Sequence, residues 1–143
     1  MTASVIEAYL ARVKTVLDGH TSAAASVFRG LRDGLDEEDM PGINIVRDDS
    51  GHDRLSDNGD RIAANFEIEH FAKGDDYETG VDALHMEVHA LLAADATLKT
   101  LGRGLRCTGT SVTGAGASCT AGKLTARYEV KVFVRPSDLT RAV

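Results

Sequence analysis

The sequence predicts an α+β fold: one domain with a mainly antiparallel sheet of four to five strands and two helices packed on one face. Three observations lead there. Two segments repeat apolar residues at three- and four-residue steps, the spacing of a helix with one buried stripe. Other segments alternate apolar and polar residues, as half-buried strands do. Each of these strands has a single apolar face. An antiparallel sheet covered on one side accommodates that pattern, whereas an all-parallel sheet is buried on both faces.

The first helix is expected from Ser4 to about Asp18, with Val5, Ile6, Tyr9, Leu10, Val13, Val16 and Leu17 on one stripe. SVIE at 4–7 fits a capping box, in which Ser4 covers a free N–H and Glu7 reaches back. Gly19 supplies the stop. VFRGL (27–31) and INIVR (43–47) read as strands, separated by the acidic turn GLDEEDMPG (34–42), where Pro41 forbids helix. DDSGHDRLSDNGD (48–60) is polar throughout and reads as a long exposed loop, or as a hairpin arm that orders against a partner.

RIAANFEIEHFAK (61–73) alternates cleanly: Ile62, Ala64, Phe66, Ile68 and His70 on one face, Ala63, Asn65, Glu67 and Glu69 on the other. GDD at 74–76 ends this strand, and Asp75 or Asp76 is placed to cap a second helix from about Tyr77 to Ala94. LRCTGTSV (105–112) reads as a strand, with a flexible hairpin tip over about 108–118. The longest strand is expected over 123–135. Leu124, Ala126, Tyr128, Val130, Val132 and Val134 lie on one face, Thr125, Arg127, Glu129 and Lys131 on the other, and Pro136 ends it.

Composition bounds the function. At 143 residues the chain suits a single domain, residues 1–143, with a real core. It has no apolar run of membrane length and no charged-then-apolar leader, so neither insertion nor export by a recognisable signal is expected. A net charge of −6 argues against a general nucleic-acid binder, which needs a basic face to displace counterions from phosphates. Two cysteines, Cys107 and Cys119, are too few for a disulfide scaffold. A hairpin folded about Thr113 would set them opposite each other, within bridging reach; two free thiols are expected in a reducing cytoplasm.

HMEVH at 85–89 raises the question of a catalytic metal. A zinc hydrolase of the HExxH kind needs its glutamate one residue after the first histidine, about 100° round the helix. Glu87 comes two residues after His85, about 200° round, so it cannot serve a metal held by His85 and His89. The histidines alone could converge on an ion, but no third ligand is marked in the sequence. TGAGAS (113–118) has no lysine to complete a phosphate cradle, and no GxSxG elbow occurs. No catalytic residue, metal or cofactor is expected.

With no enzyme signature, the layout becomes informative. RIAANFEIEHFAKGDD leads into YETGVDALHMEVHALLAADATLKTLG, which ends in an LLxxDxxL segment at Leu91, Leu92, Asp95 and Leu98. GKLTARYEVKVFV (122–134) follows a hairpin loop. In this order and over most of its length, the chain resembles the tail terminator proteins of long-tailed bacteriophages, the lambda gpU type of minor tail protein.

The resemblance implies a non-enzymatic virion protein of the tail or neck, made in the host bacterial cytoplasm. It would form a homohexameric ring on the head-proximal end of the tail tube, stop polymerisation and offer a surface for head–tail joining. Its implied partners are itself, the tail tube protein and a head-completion or connector protein, with DNA only passing through the lumen and no membrane. Candidate interface or lumen residues are Asn65, Glu67, Glu69, Arg127, Glu129 and Lys131 on the polar sheet face, with Asp36, Glu37, Glu38 and Asp39 in the acidic turn. Two rival readings stay open: another ring-forming neck protein, and a small metal-dependent hydrolase, which the place of Glu87 disfavours.

Overall fold

The computed structural model describes residues 3–56, 59–115, 120–135 and 138–142. Helix α1 (Val5–Leu17) buries Val5, Ile6, Tyr9, Leu10, Val13 and Leu17, the expected stripe except for Val16, which is only partly buried. The Ser4 side chain accepts the Glu7 backbone N–H at 3.2 Å. Only this half of the capping box forms. The Glu7 carboxylate turns outward to Arg47 (2.7 Å) and Arg29 (3.2 Å), tying α1 to the sheet. Burial alone would raise this carboxyl, but the bond to Arg47 and the charge of Arg29 outweigh it and hold the pKa below its ordinary value. Gly19 follows the helix at φ 77°, a conformation glycine takes without strain.

Strand β1 (Val27–Arg29) runs parallel to β2 (Gly42–Ser56), and a short 3-10 helix (Glu37–Asp39) lies between them in the chain. Strand β3 (Gly59–Lys73) pairs antiparallel with β2. Helix α2 (Tyr77–Ala94) and helix α3 (Ala96–Leu101) come next. Strands β4 (Arg103–Ala115), β5 (Ala121–Arg135) and β6 (Asp138–Ala142) complete a six-stranded sheet in the order β1-β2-β3-β5-β4, with β6 also on β5.

The α+β class is as expected, with more elements than the alternation revealed. Six strands replace four to five, and a third helix is present. β1 falls inside the strand expected over 27–31, whereas β6, with five residues, is too short for a period of two to stand out.

Register places Ile62, Ala64, Phe66, Ile68 and His70 of β3 beside Val132, Val130, Tyr128, Ala126 and Leu124 of β5. Ile43 and Ile45 of β2 join the same face. All of these are buried with the stripes of α1 and α2 in one cluster, which includes Val81, Leu84, Val88, Leu92 and Leu98. Phe66 sits at its centre, 5.4 Å from the Tyr128 ring and 6.1 Å from Tyr9 between centroids. Each such aromatic contact adds about 0.5–1.5 kcal/mol beyond the area it buries.

Of the two readings of 48–60, the hairpin arm is the one that forms, paired within the chain, and the expected flexible tip gives way to strand over 108–115. Residues 48–56 continue β2 along β3, from Ser50 opposite Ala64 to Ser56 opposite Gly59, after a bulge following Arg47. A polar segment can do this because the ladder satisfies its backbone, and the bulge turns the strand without ending it. Residues 108–115 likewise belong to β4, and the rest of the expected tip, 116–118, lies outside the described residues. Within this hairpin Ala115 faces Ala121 and Cys107 faces Tyr128, so Cys107 does not have Cys119 opposite it. Cys119 lies outside the described residues.

At the junction of α2 and α3, Asp95 caps α3 through the Leu98 N–H (3.0 Å). The same carboxylate receives Arg12 of α1 in two bonds, at 2.7 and 3.0 Å. The Arg12 bond is the main reason the Asp95 carboxyl lies below its ordinary pKa. Asp76 begins α2 without a side-chain cap bond, unlike the expectation.

Candidate functional site

The face of β3 and β5 turned away from the helices carries the expected polar set. Asn65 is opposite Glu129, Glu67 opposite Arg127, Glu69 opposite Thr125, and Ala63 opposite Lys131. Alternation on two paired strands therefore brings Asn65, Glu67, Glu69, Arg127, Glu129 and Lys131 onto one surface. Arg127 and Lys131 are exposed, while the others are partly covered by their neighbours. Arg106 of β4 reaches Glu129 at 3.5 Å. Opposite charges thus alternate across three strands, an arrangement in which each carboxylate has a cation in the adjacent strand.

Glu69 has a different setting from the rest. Its side chain is only 13% exposed, bonded to Lys123 at 2.8 Å and to the Asn44 amide at 2.8 Å. Asn44 is fully buried. Its amide also donates to the Leu31 carbonyl (3.0 Å), and its oxygen accepts the Leu31 N–H (3.1 Å). Glu69 is therefore part of a clasp that holds the segment after β1 against this face. The same segment buries Met40 on Phe71 and Ala121, with Leu35 packed alongside. Asp36, Glu37, Glu38 and Asp39 ride on it, with Asp36 at the N-cap of the 3-10 helix and Glu37 and Glu38 exposed. Both candidate sets thus lie on the side of the sheet away from the helices. The clasp was missed from the sequence because Asn44 stands inside an otherwise strand-like INIVR.

The histidine motif lies on the helix side of the sheet at the edge of the core, with Val88 buried, His85 half-buried and Met86 and His89 exposed. Glu87 accepts the Ser22 N–H (3.0 Å) and hydroxyl (2.8 Å), pinning the loop after α1 to α2. It takes no part with the histidines, as its angular position required. His89 Nδ1 lies 3.1 Å from the Tyr128 hydroxyl, with its ring stacked at 5.9 Å.

A third histidine, unmarked in the sequence reading of the motif, completes the row. The His70 ring is 5.0 Å from His85, which is 6.0 Å from His89. His70 is fully buried, and its Nδ1 lies 3.0 Å from the Leu124 carbonyl. Because a carbonyl only accepts, Nδ1 carries the proton and Nε2 is left as a lone pair. His70 Nε2 and His85 Nδ1 are buried and make no hydrogen bond among the described residues. Burial first, and the nearby His85 second, push the His70 pKa down to about 4 against the pull of the Leu124 bond. His85 is lowered as well, by burial and then by His89. Among the described residues no three His, Cys, Asp or Glu side chains are grouped to hold a metal ion.

A cleft of about 410 Å³ opens where α3 meets β4, lined by Tyr9, Leu92, Lys99, Gly102, Arg103 and Leu105 among others. Its lining has two cations and no carboxylate, imidazole or thiol, so it offers no acid–base pair. No helix among the described residues is long and apolar enough to cross a membrane.

No protein-family model matches the chain, and no curated protein matches it. Among solved structures, it is similar to a chain of "Virion of native gene transfer agent (GTA) particle". The two are 11% identical, the match covers 91% of this chain and 92% of that one, and the TM-score is 0.39. A likeness at this level transfers neither a role nor a residue.

Proposed function

We propose that this protein is a structural component of a phage-like particle, a tail terminator that caps the head-proximal end of the tail tube as a homohexameric ring. The observation that carries the reading is the two-sidedness of the sheet. Every α-helix among the described residues packs on one face, and the other presents Asn65, Glu67, Arg127, Glu129 and Lys131 on long strands, with only the segment around the 3-10 helix clasped beside them. A rigid strand surface of this kind can line a channel or meet a neighbour, and its sequence sits in the stretches that resemble the terminator family.

The work is steric. One rim of the ring matches the last layer of tube subunits, while the other refuses the next layer and accepts the head-side partner. Carboxylates in the lumen would repel passing DNA phosphates, in keeping with the net charge of −6.

The test is to assemble particles without this protein. Overlong tails support a terminator. Finished tails lacking heads point to a joining protein instead, and tails of normal length with heads attached refute both.

A further inference from the structure

The sheet leaves an edge at each end, and the two are of unlike charge. At one end lies β4, whose outer edge takes no strand among the described residues. It carries Arg103 and Arg106 and no carboxylate from 103 to 115. At the other end β1 covers β2 only from Ile43 to Ile45, so β2 beyond Val46 has no strand on its outer side among the described residues. That arm carries Asp48, Asp49 and Asp53 against Arg54 and Arg47, the latter tied to Glu7 of α1.

Register puts the two edges at the same height. Gly51 is beside Ala63, Ala63 beside Lys131, and Lys131 beside Arg103, all in one row across the sheet. Both edges also carry a bulge close to this row, between Arg47 and Ser50 and between Arg103 and Arg106.

We propose that copies of this chain join edge to edge, the basic start of β4 in one copy pairing with the acidic β2 arm of the next. Long unpaired strand edges are templates for strand addition, and the opposite charges select this pairing over β4 with β4 or arm with arm. Strand order fixes the polarity. β2 and β5 run one way and β3 and β4 the other, so a sheet continued across the junction is antiparallel there. The contact joins two different edges, so it is heterologous and repeats until rotation closes it. This deepens the ring reading and rests on it.

Cysteine cross-linking tests the pairing directly. In a chain with Cys107→Ser and Cys119→Ser, the pair Gly51→Cys and Arg103→Cys should give a ladder of covalent oligomers ending at the hexamer under mild oxidation. Each single variant should give none. Separately, Arg103→Glu with Arg106→Glu should lower the oligomer fraction about tenfold, and adding Asp49→Lys with Asp53→Lys should restore it. Oligomers that form without a ladder overturn the edge pairing and leave the ring reading standing. Cross-links from either single variant, or a ladder stopping at the dimer, mean two-fold pairing and also overturn it. A parent chain that stays monomeric at every concentration and on purified tube ends defeats the ring reading itself.

Discussion

Acid should loosen this protein through His70. The folded pKa is about 4 against 6.5 for a free imidazole, so between these values the unfolded chain binds a proton that the folded one refuses. Stability is therefore full above about pH 6.5 and falls as pH drops toward 4, by about 1.4 kcal/mol per unit where the difference is one proton. Integrated from neutrality, the loss is about 1 kcal/mol by pH 5.5 and about 3 kcal/mol by pH 4.

His85 shifts in the same direction and adds to the loss. The groups around the pair are His89 and Asp82 on α2, Tyr128 on β5 and, beyond it, Cys107 on β4; Asp82 alone favours protonation of His85. The assay is urea unfolding followed by far-UV circular dichroism from pH 7.5 to 4. The comparison is with His70→Gln, which keeps a donor for the Leu124 carbonyl and cannot titrate. Wild type should lose about 3 kcal/mol more than this variant across the range. Parallel curves for the two proteins would refute the reasoning, because carboxylate titration is common to both.

Three further outcomes are expected. Gly102→Ala builds a Cβ 2.7 Å from Val130 Cγ2 and 3.0 Å from Tyr9 Cε2, both in the core, and should cost about 1–3 kcal/mol in thermal or urea unfolding. Asp95→Ala should cost about 1 kcal/mol for the lost α3 cap, with a smaller loss for Asp95→Asn, which keeps an acceptor for the Leu98 N–H; equal losses would remove the cap from the explanation. An equivalent of zinc should leave the melting temperature unchanged, and a zinc-dependent rise abolished by His85→Ala would revive a metal role for the motif.

Periodicity made the main elements legible. Fifteen-residue β3 and β5 and eighteen-residue α2 are long enough for a period to repeat, and the face assigned to Asn65, Glu67, Arg127, Glu129 and Lys131 followed from it. Residues 48–56 were obscured because strand pairing there is carried by backbone, and side-chain polarity says nothing about backbone partners. The Asn44–Glu69–Lys123 clasp joins three strands and Leu31, so no local pattern could contain it. His70 stood on the expected apolar face, but its contact with His85 depends on how α2 lies across β3, which spacing within either element does not determine.

Asp95 and Arg12 are 83 residues apart in sequence, yet one carboxylate both begins α3 and grips α1. During synthesis the first helix emerges long before this aspartate exists, so its Arg12 anchor forms only after 83 further residues have followed, later than the contacts of Glu7 with Arg29 and Arg47. Fragments that end before this aspartate should therefore leave the N-terminal segment loose and open to proteases, whatever local helicity it has.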